Sequence, residues 1–355
     1  MDKQKIQIGN RTIGAKQPSF LIAEIAQAHD GSLGFAHSFI DLASRAGADA
    51  IKFQVHIADA ESTLDEEFRV QFSFEDANRF EYWKRMEFRK EQWAELKKHA
   101  EEAGLVFFAS AFSLEAVALL ENLEVEIWKI SSGEVENKAL AARILDTKKP
   151  VLISTGMSTL EMALAKSNEF TRNGVVTGLF QCTTQYPTPF ENVGLNILDD
   201  MREDFSGPVG LSDHSGSEYP SIAAIARGAD MIEVHLCMNK NQFGPDTSSS
   251  LDSEQFTRLK DARDCFHTMI SNPVDKSLVA ERTASTRILF AQSLAPKHAL
   301  TRGHKMSAED FSTKKPGTGL LASEIAKYIG RELARDVSPE RLFRESDFIS
   351  DGTNE

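Results

Sequence analysis

The sequence predicts an α/β fold, a (β/α)8 TIM barrel followed by a small C-terminal domain, on three observations. Between residues 20 and 270, eight short apolar runs alternate with helix-periodic segments. The runs have the length of strands buried on both faces, as in a parallel sheet wrapped by helices. The first run leads into EIAQAHDGSLG, without the glycine-rich nucleotide turn that an open, doubly wound sheet would carry there, which favours a closed barrel. Beyond about residue 272 the alternation stops and short β-like pieces follow.

Ile6-Gln7-Ile8 and Thr12-Ile13 flank Gly9-Asn10, a small hairpin suited to plugging the bottom of a barrel. The main alternation runs strand FLIAEIA, helix 35–46, strand AIKFQV, an insertion at 58–89, helix 90–103, strand LVFFAS, helix 114–122 and strand EIWKIS. It continues with helix 138–146, strand VLIST, helix 160–173, strand TGLFQC, helix 197–205, strand PVGLS, helix 219–227, strand ADMIEVH and helix 253–270. These boundaries predict a barrel domain over 1–271, a polar linker over 272–286 and a small domain over 287–355. In the small domain ILFAQSLA, ALTRGHKM and FSTKKPGTG read as β-like, 322–329 as a helix, and 331–348 as a further strand and turn. A domain of roughly 70 residues buries a modest core, so it is expected to dock on the barrel or on another subunit.

Composition bounds the function. A chain that is 41% hydrophobic and 26% charged, without low-complexity tracts, is expected to be soluble and globular. A formal charge of -13 argues against non-specific binding to nucleic acid or an anionic membrane, while leaving local basic pockets for small anions. Cys182, Cys237 and Cys265 form no CxxC pair, which suits a reducing compartment and mostly buried thiols. The start MDKQKIQIGN lacks the apolar core of a signal peptide, and no run reaches the roughly 20 apolar residues that span a bilayer. A cytoplasmic location is expected.

In a barrel of this kind chemistry sits at the carboxyl ends of the strands. His214 and His235 each close a short apolar run and are joined by a helical segment, one βαβ unit, so their imidazoles leave neighbouring strand ends and can converge on a divalent metal. The alternative is two histidines that separately bond to backbone. The rest of the ring is polar: Glu24 and Gln27, Lys52 and Gln54, Ser110, Lys129, Ser132 and Glu134, Ser154, and Thr184 with Tyr186. Lysines inside apolar strands are costly unless paired. Lys52, Lys129, Ser132, Ser154 and Ser212 together fit a phosphate or phosphate-plus-carboxylate ligand; the alternative pairs the lysines with Glu24 and Glu134 as a structural network.

The chain resembles the N-acetylneuraminate (sialic acid) synthase family, including legionaminic and pseudaminic acid synthases, over nearly its whole length. The resemblance rests on AEIAQAHDGSLG, GADAIKFQ, WKISSGE, ISTGM, QCTTQYPTP, GLSDHS, IEVH and FGPDTSSSL in order, and on KKPGTG near the C-terminus. It implies a C-terminal antifreeze-like (SAF, β-clip) domain. It also implies condensation of phosphoenolpyruvate with N-acetylmannosamine or a related N-acetylated sugar and water, giving a nine-carbon 2-keto acid and phosphate by C–O cleavage. His214 and His235 then hold Mn2+ or Mg2+. Lys52, Ser110, Lys129, Ser132, Ser154, Thr184 and Ser212 match positions that bind phosphoenolpyruvate, and Gln54, Glu134, Tyr186 and Asp246 the sugar side. Glu24, Lys52, Lys129 and Asp246 are the implied catalytic groups. The resemblance further implies a domain-swapped homodimer in which Lys315, before Pro316-Gly317, reaches the sugar. Four positions depart from the family pattern: Ser110 for threonine, Ala111 for proline, Thr184 for asparagine and Lys315 for arginine. The last exchanges a planar fork of donors for a flexible point charge.

Two other classes compete: a metal-independent Schiff-base aldolase using Lys129 or Lys52, and a non-catalytic sugar- or phosphate-binding protein. The insertion at 58–89 holds Phe68, Phe72, Phe74, Phe80, Tyr82, Trp83 and Phe88 among acidic residues. It reads either as a lid or, as expected here, as an excursion whose aromatics pack on the barrel rim, without a chemical role. Asp30, His29 and His37 read as a helix cap and surface histidines.

Overall fold

The computed structural model describes residues 4–68 and 70–350, and its contacts divide the chain into two compact units, the first ending at Asn272. In the first unit, β1 (Ile6–Ile8) and β2 (Arg11–Ile13) form an antiparallel hairpin. Eight parallel strands follow: β3 (Phe20–Ala26), β4 (Ala50–Val55), β5 (Val106–Ala111), β6 (Trp128–Ile130), β7 (Val151–Ser154), β8 (Thr177–Cys182), β9 (Val209–Asp213) and β10 (Met231–His235). They close in sequential order, with β10 pairing back onto β3. The predicted barrel is therefore present, with a helix after each of its strands.

Local chemistry sets the punctuation. Ser32, Ser113, Asn137, Thr159 and Asp252 each accept a backbone N–H of the first turn of the following helix, which satisfies donors that the helix leaves unpaired. Helix Leu33–Ala46 ends on Gly47 in the left-handed region (φ 85°), a conformation that glycine adopts without strain. Ile6, Ile8 and Ile13 of the hairpin are buried in one cluster with Phe20, Phe108, Phe180 and Met231 of the barrel. The hairpin thus closes the end of the barrel opposite the strand C-termini.

The insertion carries two short helices, Ala58–Glu61 and Arg79–Met86. Tyr82, Trp83 and Met86 form a small core with Ala58, against which Phe68, Phe72 and Phe80 pack, while Phe74 is 92% exposed. Arg85 ties it to the barrel through Asp30 at 2.7 Å, and pairs within the insertion with Asp76 at 2.8 Å. Asp30 is thus an ion-pair partner and not a cap, since Ser32 caps the helix. His29 is not a surface residue: it is 1% exposed between Phe53 and Phe88, and accepts the Gly31 N–H on Nδ1. His37 is half-buried, with its Nδ1 2.9 Å from that of His99.

The second unit differs from expectation in detail. The segment expected as a polar linker is largely helical, Lys276–Arg282 and then Ala284–Phe290; Asp275 caps the first helix, and residues 288–290, expected as β, belong to the second. One antiparallel pair forms, β11 (Ser293–Pro296) with β12 (Phe311–Lys314). The expected helix over 322–329 is a 3-10 segment, Ala322–Lys327. In place of a strand within 331–348 the described residues show isolated bridges, Leu300 to Val337, Lys305 to Glu332 and Leu333 to Phe348. Leu294, Leu300, Phe311, Leu333, Phe343 and Phe348 make its core. Short bridged pieces of this kind carry too little periodicity to be read as strands. Cys182 and Cys237 are buried, Cys265 is exposed, and all three are free thiols. Among the described residues no helix is long and apolar enough to cross a membrane.

Candidate active site

Register brings the polar ring together at the C-terminal mouth. Glu24 lies opposite His235 on one side and Lys52 on the other. Gln54 faces Ser110, Ser110 faces Lys129, and Ser212 faces Glu233. A cavity of about 490 Å3 opens here, and its lining includes Glu24, Lys52, Lys129, Ser132, Ser154 and Ser212. Gln54, Glu134, Thr184, Tyr186, His214 and His235 line the same cavity. Asp246 lines the adjoining groove, which shares Gln54, Tyr186 and His235.

At its floor two cations meet two carboxylates. Lys52 Nζ is 2.5 Å from Glu24 Oε2 and 3.6 Å from Glu233 Oε1. Lys129 Nζ donates to both Glu233 oxygens at 2.7 and 2.9 Å. Ser212 Oγ donates to Glu233 Oε1 at 3.0 Å. Of the two partners in the alternative structural network, Glu24 is one and Glu134 is not: it stands at the half-buried rim and accepts from Asn137 Nδ2 at 2.8 Å. Glu233 takes its place. Burial works against the charge on Lys52, yet Glu233 and Glu24 outweigh it and raise the ammonium above its ordinary value. Burial also opposes the charge on Glu233, but Lys129 and Lys52 hold its carboxyl well below the usual range. The tetrad balances its own charge, while each ammonium offers three donors.

Several buried polar atoms around this tetrad have no hydrogen-bond partner: Glu24 Oε1, Ser110 Oγ, Ser131 Oγ and Thr184 Oγ1. Of these, Glu24, Ser131 and Thr184 line the cavity; buried polar groups are almost always satisfied in a folded protein, so orphans along a cavity are the mark of a site that takes a polar ligand. Gly156 beside them has no room for a side chain, because a Cβ would sit 2.4 Å from Thr184 Oγ1 and 3.0 Å from Ser132 Oγ. Its N–H donates to Ser132 Oγ at 3.0 Å.

The imidazoles of His214 and His235 converge, with ring centres 5.3 Å apart. His214 Nδ1–H donates to the Thr183 carbonyl at 2.9 Å, which leaves the Nε2 lone pair facing the cavity, the tautomer that a metal ligand needs. Burial, and then His235, push its pKa down to about 3, so the ring is neutral near pH 7. The Tyr186 hydroxyl lies 3.0 Å from that Nε2 and its ring stacks on His214 at 4.2 Å. His235 Nδ1 is 3.7 Å from Asp246 Oδ2. Among the described residues no group of three His, Cys, Asp or Glu side chains forms a closed metal cage. The donor set fits an open site, in which two imidazoles hold an ion and water or substrate oxygens complete its shell.

Lys315 belongs to the second unit, where its ammonium lies 4.8 Å from the Phe290 ring centre. The other ring residues are joined by side chains that the sequence reading left aside. Glu233 was detectable, because alternation along Met231–His235 puts it on the same inward face as His235. His56, Glu61, Glu66, Arg79, Trp83 and Phe112 also line the cavity. Four of these come from the insertion, which thus walls the site. No local pattern marks such residues, since their placement depends on how the insertion folds back.

Comparison with known proteins agrees with this geometry. The model of the NeuB family matches residues 39–274, and that of the SAF domain matches residues 291–349. The chain is 30% identical over 334 residues to N,N'-diacetyllegionaminic acid synthase of Campylobacter jejuni, covering 92% of this chain and 99% of that one. It is 27% identical to human N-acetylneuraminate-9-phosphate synthase over 94% of each. The solved N-acetylneuraminic acid synthetase of Leptospira borgpetersenii superposes with a TM-score of 0.71 at 25% identity, covering 80% of this chain and 96% of that one.

Proposed function

Because the chain belongs to the NeuB family, we propose that it condenses phosphoenolpyruvate with the open-chain form of an N-acetylated hexosamine and water, releasing phosphate and a nine-carbon 2-keto acid. The observation that carries this reading is the set of orphaned buried atoms, Glu24 Oε1, Ser131 Oγ and Thr184 Oγ1, in the cavity that Lys52 and Lys129 also line. The orphaned hydroxyls can donate to a phosphate or a carboxylate and the ammoniums suit its charge, whereas Glu24 Oε1 can only accept and so calls for a hydroxyl or water of the reactants.

In this reading Lys52, Lys129, Ser132, Ser154 and Ser212 hold the phosphate and carboxylate of the enol ester. Gln54, Glu134, Tyr186 and Asp246 hold the sugar with its aldehyde toward the enol carbon. C3 of phosphoenolpyruvate adds to the aldehyde carbon, whose oxygen takes a proton. Water then adds to C2, and the C2–O bond breaks as phosphate leaves with its bridging oxygen. Glu24 positions or deprotonates a reacting oxygen, and the lysines stabilise the departing anion. His214 and His235 would hold a divalent ion, Mn2+ or Mg2+, which would supply Lewis acidity toward the aldehyde oxygen. Burial, with Lys52 beside it, lowers the pKa of Lys129, whereas the double clamp by Glu233 works to keep the proton there and so against a Schiff base at that amine.

The distal wall speaks to the acceptor. Arg79 is paired with Glu66 at 3.0 Å, and Glu134 stands nearby in the same cavity. Among the described residues lining this end, no cation is left over for a phosphate on the sugar. This supports an unphosphorylated sugar as the acceptor, with the cation that Lys315 would bring meeting the sugar's own oxygens, in contrast to the 9-phosphate for which the human relative is named. Full assembly is a domain-swapped homodimer in which Lys315 approaches the sugar of the partner subunit.

The test is phosphate release from phosphoenolpyruvate by chelator-stripped protein, with manganese restored and N-acetylated hexosamines added singly, each with and without a 6-phosphate. Release requiring both metal and an unphosphorylated sugar is the expected result. Release without metal, or a lysine adduct trapped by borohydride, overturns the mechanism; preference for the 6-phosphate overturns the acceptor reading.

A further inference from the structure

His56 lies flat between two aromatic rings, Trp83 at 3.8 Å and 9° and Phe112 at 4.3 Å and 12°. The sandwich leaves its nitrogens free only at the ring edge. Nδ1 meets Glu61 Oε1 at 2.7 Å, and Nε2 meets Gln54 Oε1 at 3.2 Å. Gln27 Nε2 donates to the same Gln54 oxygen at 2.9 Å. With its carbonyl between two donors, Gln54 turns its amide N–H groups to the cavity that it lines.

Gln54 Oε1 can only accept, so His56 must carry a proton on Nε2. Nδ1 then receives a proton from Glu61, or shares with it the one proton that the pair holds. Written as carboxylic acid with imidazole or as carboxylate with imidazolium, the pair keeps Nε2–H. Glu61 Oε2 is buried without any hydrogen-bond partner, an arrangement that suits a protonated carboxyl and is costly for a carboxylate.

We propose that Glu61 and His56 form a proton-holding relay that fixes the Gln54 amide as a donor to the acceptor sugar, making both of them positioning residues that never touch the reacting atoms. The proposal rests on the acceptor site described under Proposed function and deepens it. The surroundings favour the protonated pair. Burial, with Glu66 and Glu87 opposing ionisation and Arg79 favouring it, pushes Glu61 up to about 8. Burial and Arg79, against Glu66 and Glu134, push His56 down to about 3. His29 is the other titratable group that senses His56.

The consequence is directional. Below about pH 8 the pair holds its proton and Gln54 donates. Above that value Glu61 ionises, the remaining imidazole proton moves to Nδ1, and the Nε2 lone pair faces Gln54 Oε1. Two acceptors then oppose each other and the amide rotates, presenting its oxygen where the sugar needs a donor. Acceptor affinity falls with rising pH, while affinity for phosphoenolpyruvate does not follow.

Two measurements on the full chain test this. In steady-state kinetics on the parent, the acceptor KM is expected to rise roughly tenfold from pH 7 to well above pH 8, the scale of one lost hydrogen bond, with the phosphoenolpyruvate KM unmoved. Glu61→Gln, whose amide donates to Nδ1 without titrating, is expected to stay close to the parent's acceptor KM at pH 7 and to abolish its rise above pH 8. Nitrogen-15 spectra of the histidines provide a readout free of turnover: His56 is expected to show Nε2–H and an unprotonated Nδ1 at pH 6–7, switching near 8 in the parent and not in Glu61→Gln. An Nδ1–H tautomer at pH 6–7, or an unchanged alkaline limb in Glu61→Gln, overturns the relay. Absence of phosphate release with any sugar would count against the proposed function instead, and the nitrogen spectra would still decide the relay.

Discussion

Lys129 is 2% exposed and meets its countercharge 104 residues away, in Glu233. Two buried lysines announce themselves in the sequence, because an apolar strand rarely carries one; their partners do not. An excess of one charge on this floor would have to be carried without solvent, and the tetrad avoids it by alternating sign. Truncating one member exposes how much the arrangement holds. Glu233→Ala leaves Lys129 buried and unpaired, and is expected to cost about 3–5 kcal/mol in chemical denaturation, whereas replacing Lys129 and Glu233 together by methionine should cost far less. Equal losses in the single and double variants would show that packing, and not charge pairing, dominates at the floor.

At the scale of elements, the barrel strands position the chemistry and the insertion selects what reaches it. The β3 to helix turn meets the insertion at Gly31, whose φ is +74° and whose Cβ, if present, would lie 2.4 Å from the Arg85 carbonyl oxygen. Gly104 has a similar φ of +80° but nothing within 4 Å. Alanine at Gly104 should therefore cost only the left-handed backbone penalty, about 1 kcal/mol. Alanine at Gly31 should cost clearly more and also raise the acceptor KM, because Arg79 and Trp83 move with the displaced insertion. Denaturation and kinetics on the two variants check both parts; equal effects would mean that the insertion is not seated through this turn. The eight strands were legible from composition and spacing. The insertion's aromatics were legible only as a cluster, because whether such a cluster packs on a rim or faces a cavity depends on its fold-back.

For the whole molecule, the helical segment that opens the second unit leaves Val274, Leu278, Ile288, Leu289 and Phe290 exposed, more apolar surface in one stretch than a solitary chain usually shows. The proposed domain-swapped dimer would cover it. Sedimentation of the full chain is expected to give a dimer, with Leu278→Glu combined with Leu289→Glu shifting it toward monomer while the barrel stays folded. A parent chain that sediments as a monomer would remove the swapped-dimer reading and the role of Lys315 with it.

By itself the sequence determined the barrel, its strand order, the ring of polar residues at the strand ends and the family. Each of these follows from local pattern: apolar runs of strand length, helices between them, polar residues at run ends, and motifs in order. Tertiary structure alone decided that Glu233, and not Glu134, neutralises Lys129, that Ser110, Thr184 and Glu24 carry unsatisfied atoms, that His56 joins Glu61 to Gln54, and that the insertion walls the cavity. The physical reason is that periodicity fixes which face a side chain takes, whereas pairing, burial and protonation depend on what closure of the barrel brings to that face from far along the chain.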